Sequence, residues 1–439
     1  MRGSFKVIPA KSNTNKTRRF RAEIWDQLQY FFQEYNDHQL HGVIYFKDLL
    51  DWEAIKKAVI LSIDIVPLLN SRFVLNCFRP YWQGSGNYQE QDVISLSYAT
   101  KPDQEINRFL TAITNELTGP QLKATVVRCS GKDALCIVMN HMVCDGAGFK
   151  EYLYLLAALY TRQYVQDTAP LNFIYGSRSS RQIYRQLNFM TKLKLFFLPN
   201  EPLQNRNDIY FPLSQESGQA TPYILKHKMP PELFCRLKKY GRDHAVTIND
   251  IILAAYYRAL YNIVDIAPGN SLTIPCMVDL RRYLPDKKAD GICNLSSMIL
   301  CHIGSEIGDS LEDTIKKVNR AMQAKKQGFP GMHGLATLNL LFRFLPFSMV
   351  KKIIKKNYVN PLIGMTNIGI IDSNRLRFGN LFIEDAFVTG SIKYFPYFQL
   401  ALTTYNNSIT FSFNFYGFEQ DIETIKRFFK LLDDELNKI

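Results

Sequence analysis

The sequence contains no Cys-x-x-Cys pair. Its eight cysteines stand apart, at 77, 129, 136, 144, 235, 276, 293 and 301. That spacing supports neither a zinc site nor a dithiol redox motif, and no metal is expected. Several of these cysteines fall in apolar, strand-like runs, which reads as buried reduced thiols and a cytoplasmic setting. No stretch reaches the roughly 20 uninterrupted apolar residues of a membrane span. The nearest, Leu335 to Val350, is broken by Asn339, Arg343 and Pro346. Residues Met1 to Arg21 are basic and polar, without the apolar centre of a signal peptide. There is no zinc-finger spacing, no glycine-rich phosphate loop and no RNA-binding aromatic signature, and basic residues occur all along the chain. Nucleic acid is therefore not an expected partner. Acidic residues are the scarcer charge, 40 against 53 Lys and Arg, for a formal +13. That surplus fits a solvated basic surface. It fits equally an anionic partner such as a phosphorylated cofactor, an acidic carrier protein or a membrane surface.

What is present is a large core. Of 439 residues, 46% are hydrophobic, with 24 Tyr and 30 Phe. Strands and helices alternate in two comparable halves, which predicts an α/β or α+β architecture. Residues 1–20 are expected to be a flexible entry. Residues 21–175 form the first half, 176–219 a crossover and 220–439 the second half.

Several elements announce themselves locally. Trp52 to Ile65 has helical spacing with Asp51 as its N-cap, and Pro67 ends it. Leu122 to Cys129 and the apolar run Leu135 to Met139 flank the turn Ser130-Gly-Lys-Asp133, which predicts a hairpin. Thr247 and Asp250 open a helix through Leu260. Asn406-Asn407 marks a hairpin between two late strands. Two basic amphipathic segments, Leu187 to Leu198 and Leu335 to Lys356, have the composition of interfacial helices. Packing of their apolar faces inward is the simpler reading.

The apolar run Leu135 to Met139 delivers Asn140 and His141 at its end. Asp145, Gly146 and Gly148 follow, and then a helix. A neutral imidazole near working pH can take a proton from an attacking hydroxyl or amine. Asp145 could orient that ring or hold the turn. The same residues fit an ordinary strand-to-helix turn with Asp145 as N-cap, and spacing alone favours that reading. Cys144 beside His141 could form a nucleophilic pair, but its apolar neighbours favour a packed thiol.

Asn140-His-Met-Val-Cys-Asp-Gly146 resembles the His-His-x-x-x-Asp-Gly motif of the condensation-domain superfamily of acyltransferases. Pro67-Leu-Leu-Asn-Ser-Arg-Phe73, Gly119 to Arg128, Val246 to Ala254, Val278-Asp-Leu-Arg-Arg-Tyr-Leu284 with Gly291 and Asn294, and Thr366-Asn-Ile-Gly369 are similar to further stretches of that family, in the same order. The Asp-Phe-Gly-Trp-Gly stretch of the plant branch is absent.

The resemblance implies two chloramphenicol-acetyltransferase-like halves forming a V around a central tunnel. It makes His141 the general base, Asp145 and Gly146 the turn that orients it, and Thr366 and Asn367 candidates for the oxyanion. A hydrogen-bonded turn is an equally good reading of the last two. Two positions depart from the pattern. Asn140 replaces the first histidine, and Asn70 stands where an arginine partner for Asp145 is expected. Arg72, Arg281 and Arg282 remain as candidates for that partner. The implied reaction moves an acyl group from acyl-CoA or an acyl carrier protein to an alcohol, amine or lipid acceptor. It needs no permanently bound cofactor. With no carrier domain attached, acyl-CoA is the expected co-substrate and a monomer the expected state. The competing readings are an inactive condensation-like scaffold and a peripheral membrane lipid-binding protein.

Overall fold

The strand that carries the motif, Lys132–Asn140, is the middle of a five-stranded sheet. Its neighbours run in the order Ile383–Thr389, Gln39–Phe46, Lys132–Asn140, Leu122–Cys129 and Ile94–Tyr98. Both faces are covered, which explains its unbroken apolar run. Leu135, Ile137 and Met139 point into the main core of the first half. Ala134, Cys136 and Val138 point the other way, against Ile106 and Leu110 of the helix Pro102–Leu110. The hairpin expected before the motif forms in full, with Cys129 opposite Lys132 and Leu122 opposite Met139.

This computed structural model describes residues 18–439 except 87, 166–175, 198–208, 216–217, 265, 267–268, 305 and 307–308. Most of the expected flexible entry, and parts of the expected crossover, thus lie outside the described residues. Arg19–Arg21, at the edge of that entry, is a strand. It pairs with Tyr81–Gly84, which in turn pairs with Ser71–Val74. The guanidinium of Arg19 lies 4.8 Å from the ring centre of Tyr81 and adds a cation–π contact to the pairing.

Local signals placed most elements well. The helix Trp52–Ile65 begins where expected, and the carboxylate of Asp51 accepts the N–H of Ala54 at 2.9 Å. Such a cap is worth about 1 kcal/mol. Its inner face, Ile55, Ala58, Val59 and Ser62, is fully buried, and the Ser62 hydroxyl meets that of Tyr152 on the motif helix at 3.0 Å. Thr247 and Asp250 exchange backbone-to-side-chain bonds of 3.1 and 3.2 Å at the start of Ile248–Val264. Asn406 and Asn407 both take positive φ in their hairpin, as a tight two-residue turn requires.

The second half is built on a six-stranded sheet. Its order is Ser296–Gly304, Ser271–Asp279, Ile363–Ile370, Phe398–Tyr405, Ser408–Gly417 and Thr221–Lys228. A second large core lies between it and the helices Pro231–Asp243, Ile248–Val264, Leu311–Lys326 and Glu419–Leu436. The division in space does not follow the division in sequence. Ile383–Thr389 leaves the second half and pairs antiparallel with Gln39–Phe46. Phe342, Phe347, Val350 and Ile354, from Leu335–Phe344 and Phe347–Asn357, sit in the core of the first half. Two α/β halves are therefore tied together by an exchanged strand and a borrowed helix pair.

Candidate functional site

His141 follows the motif strand directly and enters a cavity of about 220 Å³ between the halves. Asp145, Gly146 and Ala147 line it from the first half. Met277, Ser296, Thr366, Asn367 and Lys393 line it from the second. The backbone carbonyls of His141, Met142 and Val143 are all held. The N–H of His141 donates to the carbonyl of His38 at 2.7 Å. Asn294 Nδ2 donates to the carbonyls of His141 and Met142 at 2.9 and 3.2 Å. Arg178 donates to those of Met142 and Val143 at 3.1 and 2.9 Å, while its guanidinium forms a two-bond pair with buried Asp26, both bonds 2.9 Å. The turn that begins at His141 is thus fixed from the second half, through Asn294, and from the crossover, through Arg178.

The imidazole is half-buried, and its Nδ1 is enclosed without a hydrogen-bond partner among the described residues. This leaves Nε2 to serve the cavity. Burial pushes the ring pKa down to about 4; the charges of Lys393 and His38 add to the shift, while Asp145 and the residue's own carbonyl oppose it. The ring is neutral at neutral pH, the state a general base needs. Lys393 is itself pushed down to about 8 by burial, against the attraction of Asp37.

Asp145 is only 4% exposed and all its bonds are structural. One oxygen accepts the N–H of Gly148 at 2.8 Å, capping the helix Gly146–Tyr164. The other accepts Arg281 Nη1 at 2.9 Å and the N–H of Leu295 at 2.6 Å. Burial alone would raise this carboxyl; the charge and hydrogen bond of Arg281, with the two backbone donors, outweigh it and hold it below the usual carboxylate range. Arg281 also donates to the carbonyl of Cys293 at 2.7 Å. So Arg281, 136 positions downstream, is the arginine partner. Asn70 instead donates to the carbonyl of Gly86 at 3.0 Å, and Arg72 reaches Gln83 at 3.4 Å.

Two glycines allow this contact between halves. A Cβ on Gly148 would lie 2.7 Å from Cys144 Cβ and 2.8 Å from the Cys293 carbonyl oxygen. One on Gly146 would lie 2.9 Å from Ile368 Cγ2 on the opposing strand. Asn140 is fully buried behind the turn, where its Oδ1 accepts the N–H of Met142 at 2.9 Å. It braces the turn and does not line the cavity. Cys144 is fully buried against Met139, and burial keeps its thiol protonated, so it is packing and no nucleophile.

Thr366 and Asn367 both reach the cavity, but differently. Asn367 Oδ1 accepts the N–H of Gly369 at 2.9 Å and its Nδ2 donates to Asn249 at 3.2 Å. The Thr366 hydroxyl makes no hydrogen bond among the described residues and is a free donor on the cavity wall. Arg178, Asn294 and Lys393 were not singled out from sequence as parts of the site. Only Asn294 carried a signal there, through its place after Val278 to Leu284.

The sequence matches no family model and no curated protein. Solved structures do share the fold. The first condensation domain of the calcium-dependent antibiotic synthetase, solved with a substrate analogue, superposes with a TM-score of 0.69 at 14% identity, over 96% of this chain and 97% of that one. Polyketide synthase associated protein 5 from Mycobacterium tuberculosis gives 0.66 at 14%, over 94% and 98%. Trichothecene 15-O-acetyltransferase from Fusarium sporotrichioides gives 0.66 at 12%, over 97% and 98%. The chain shares the fold of these structures along nearly its whole length.

Proposed function

On the premise of that fold, we propose that the protein is an acyltransferase, moving an acyl group from a thioester to a hydroxyl or amine acceptor. The observation that carries this reading is His141, fixed by its backbone in a cavity to which both halves contribute. The acceptor gives its proton to His141 Nε2 as its oxygen or nitrogen attacks the thioester carbonyl. The tetrahedral oxyanion takes a hydrogen bond from the Thr366 hydroxyl, and its charge beside the ring favours the imidazolium that has just formed. Such a donor is worth on the order of 3 kcal/mol when aimed at developing charge. The C–S bond then breaks, and the thiolate leaves with the proton from His141. The residues close this cycle without a covalent enzyme intermediate.

A two-substrate reaction needs two approaches to one base. A second cavity, of about 860 Å³, meets the first at Ala147 and Asp279. The donor is acyl-CoA or an acyl carrier protein, and a net charge of +13 suits either anionic donor. In the test, the protein is incubated with a panel of acyl-CoA donors and of alcohols, amines and lipids, with products read by mass spectrometry. Formation of an acyl ester or amide together with free CoA supports the reading. Failure of every donor, loaded carrier proteins included, sinks it in favour of a scaffold role.

A further inference from the structure

The surplus of positive charge is concentrated in two stretches. Between Asp167 and Glu201 there are five basic residues and no acidic one; between Asp313 and Asp372 there are ten and none. Elsewhere the chain has 38 basic residues against 40 acidic, so the whole net charge arises in these two stretches. Charge distributed evenly along the chain, as expected from the sequence, is therefore a wrong picture.

The fold brings the two stretches together. Helix Phe189–Phe196 packs on Leu335–Phe344, which packs on Phe347–Asn357. Their inward faces are accounted for by Leu195, Phe342, Val350 and Ile354, all buried. Inward packing does not account for the rest. Phe189, Met190, Phe196 and Phe197 are 75, 59, 50 and 73% exposed on one helix and its end, and Phe344 and Met349 are 65 and 50% exposed on the neighbouring pair. Exposed lysines interleave with them, at 192, 194, 352 and 356. Large apolar side chains left in water beside lysines, on helices too short to span a bilayer, have the chemistry of an interfacial surface.

We propose that this three-helix face docks the protein on an anionic membrane surface, with the aromatic rings entering the headgroup region and the lysines facing lipid phosphates. Ion pairing with an acidic protein would use the lysines and leave the exposed rings unexplained. The face also adjoins the His141 cavity. Tyr358, Asn360 and Pro361, which follow the last helix, line that cavity, and Phe32 stacks on Tyr358 at 5.2 Å. A lipidic substrate would enter from the docked side.

The test is sedimentation of the full chain with vesicles, in the absence of any acyl donor. Vesicles of phosphatidylglycerol with phosphatidylcholine are compared with phosphatidylcholine alone. The wild type should partition onto the anionic vesicles at least about tenfold more strongly. Reversing Lys192, Lys194, Lys352 and Lys356 to Glu should weaken binding by roughly 100-fold or more. Changing Phe189, Phe196 and Phe344 to Ser should weaken it by roughly tenfold per ring. Equal binding to both vesicle types, or none, overturns the proposal. So does an aromatic variant that sediments like the wild type while the lysine variant does not; that pattern marks a site for an acidic protein. Thermal midpoints of both variants should match the wild type, since the altered side chains are exposed. If the triple aromatic variant unfolds, Phe189→Ser and Phe344→Ser singly carry the same comparison. His141→Ala should bind vesicles like the wild type, which separates docking from transfer chemistry.

Discussion

Replacing Arg281 by Met tests how the halves hold the motif. Arg281 and Asp145 are 5 and 4% exposed, and Arg281 is the cation bonded to this carboxylate. Its loss leaves Asp145 buried with two backbone donors, from Gly148 and Leu295, and leaves the Cys293 carbonyl without its guanidinium donor. Breaking one side of a buried pair costs about 3–5 kcal/mol. The pH dependence follows from the sign of the carboxyl shift. In the wild type Asp145 is held below its ordinary 3.8, so the brace is fully present above that value and is lost as pH falls through the lower folded pKa. In Arg281→Met the remaining balance is dominated by burial, which raises the carboxyl. The variant's deficit should therefore be smallest below the lowered folded pKa of wild-type Asp145, already be present at pH 4, and grow toward neutrality. Denaturant titrations at acid and neutral pH read this directly. A double cycle with Asp145→Asn should show coupling of at least about 2 kcal/mol. A variant within about 1 kcal/mol of the wild type at pH 7 would show that the pair braces nothing.

The base should show itself in the pH–rate profile. With His141 at about 4, transfer should hold steady from neutral to mildly acid pH and fall tenfold per unit below that value; a limb near the ordinary histidine value of 6.5 would contradict the burial argument. Thr366→Val should lower kcat by roughly 100-fold with little change in KM or thermal stability; unchanged kcat removes Thr366 from oxyanion binding. Gly148→Ala places a Cβ 2.8 Å from a backbone oxygen and should cost about 1–3 kcal/mol of stability, whereas Gly328→Ala, with nothing within 4 Å, should be neutral in the same melts.

Local chemistry was readable where the decisive partners are close in sequence. Asp51 caps the N–H three residues on, the turn before the motif is the pair Ser130-Gly131, and an Asn-Asn pair carries its own preference for positive φ. The same holds for the strand that delivers His141, because cover on both faces leaves an apolar run. What could not be read are partnerships set by topology. Nothing near Asp145 in the sequence points to Arg281, and only the packing of the two halves selects it from three arginines. The strand Ile383–Thr389 looks like its neighbours in the second half, yet it pairs in the first, since alternation of apolar residues says which face is buried and not beside which strand. Asn140 looked like an altered catalytic residue. Its side chain points behind the turn, and alternation along the strand could not show that the chain bends before His141. Arg178 lies in the expected crossover, 152 positions from Asp26, where their buried pairing has no local signature.

The most direct measurement is the rate of thiol release from an acyl-CoA that the wild type turns over, compared with His141→Ala at neutral pH. Loss of a general base should reduce the rate by roughly 100- to 10,000-fold while the variant keeps the wild-type melting temperature. Equal rates from the two folded proteins would show that His141 is not the base and that acyl transfer, if present, runs elsewhere.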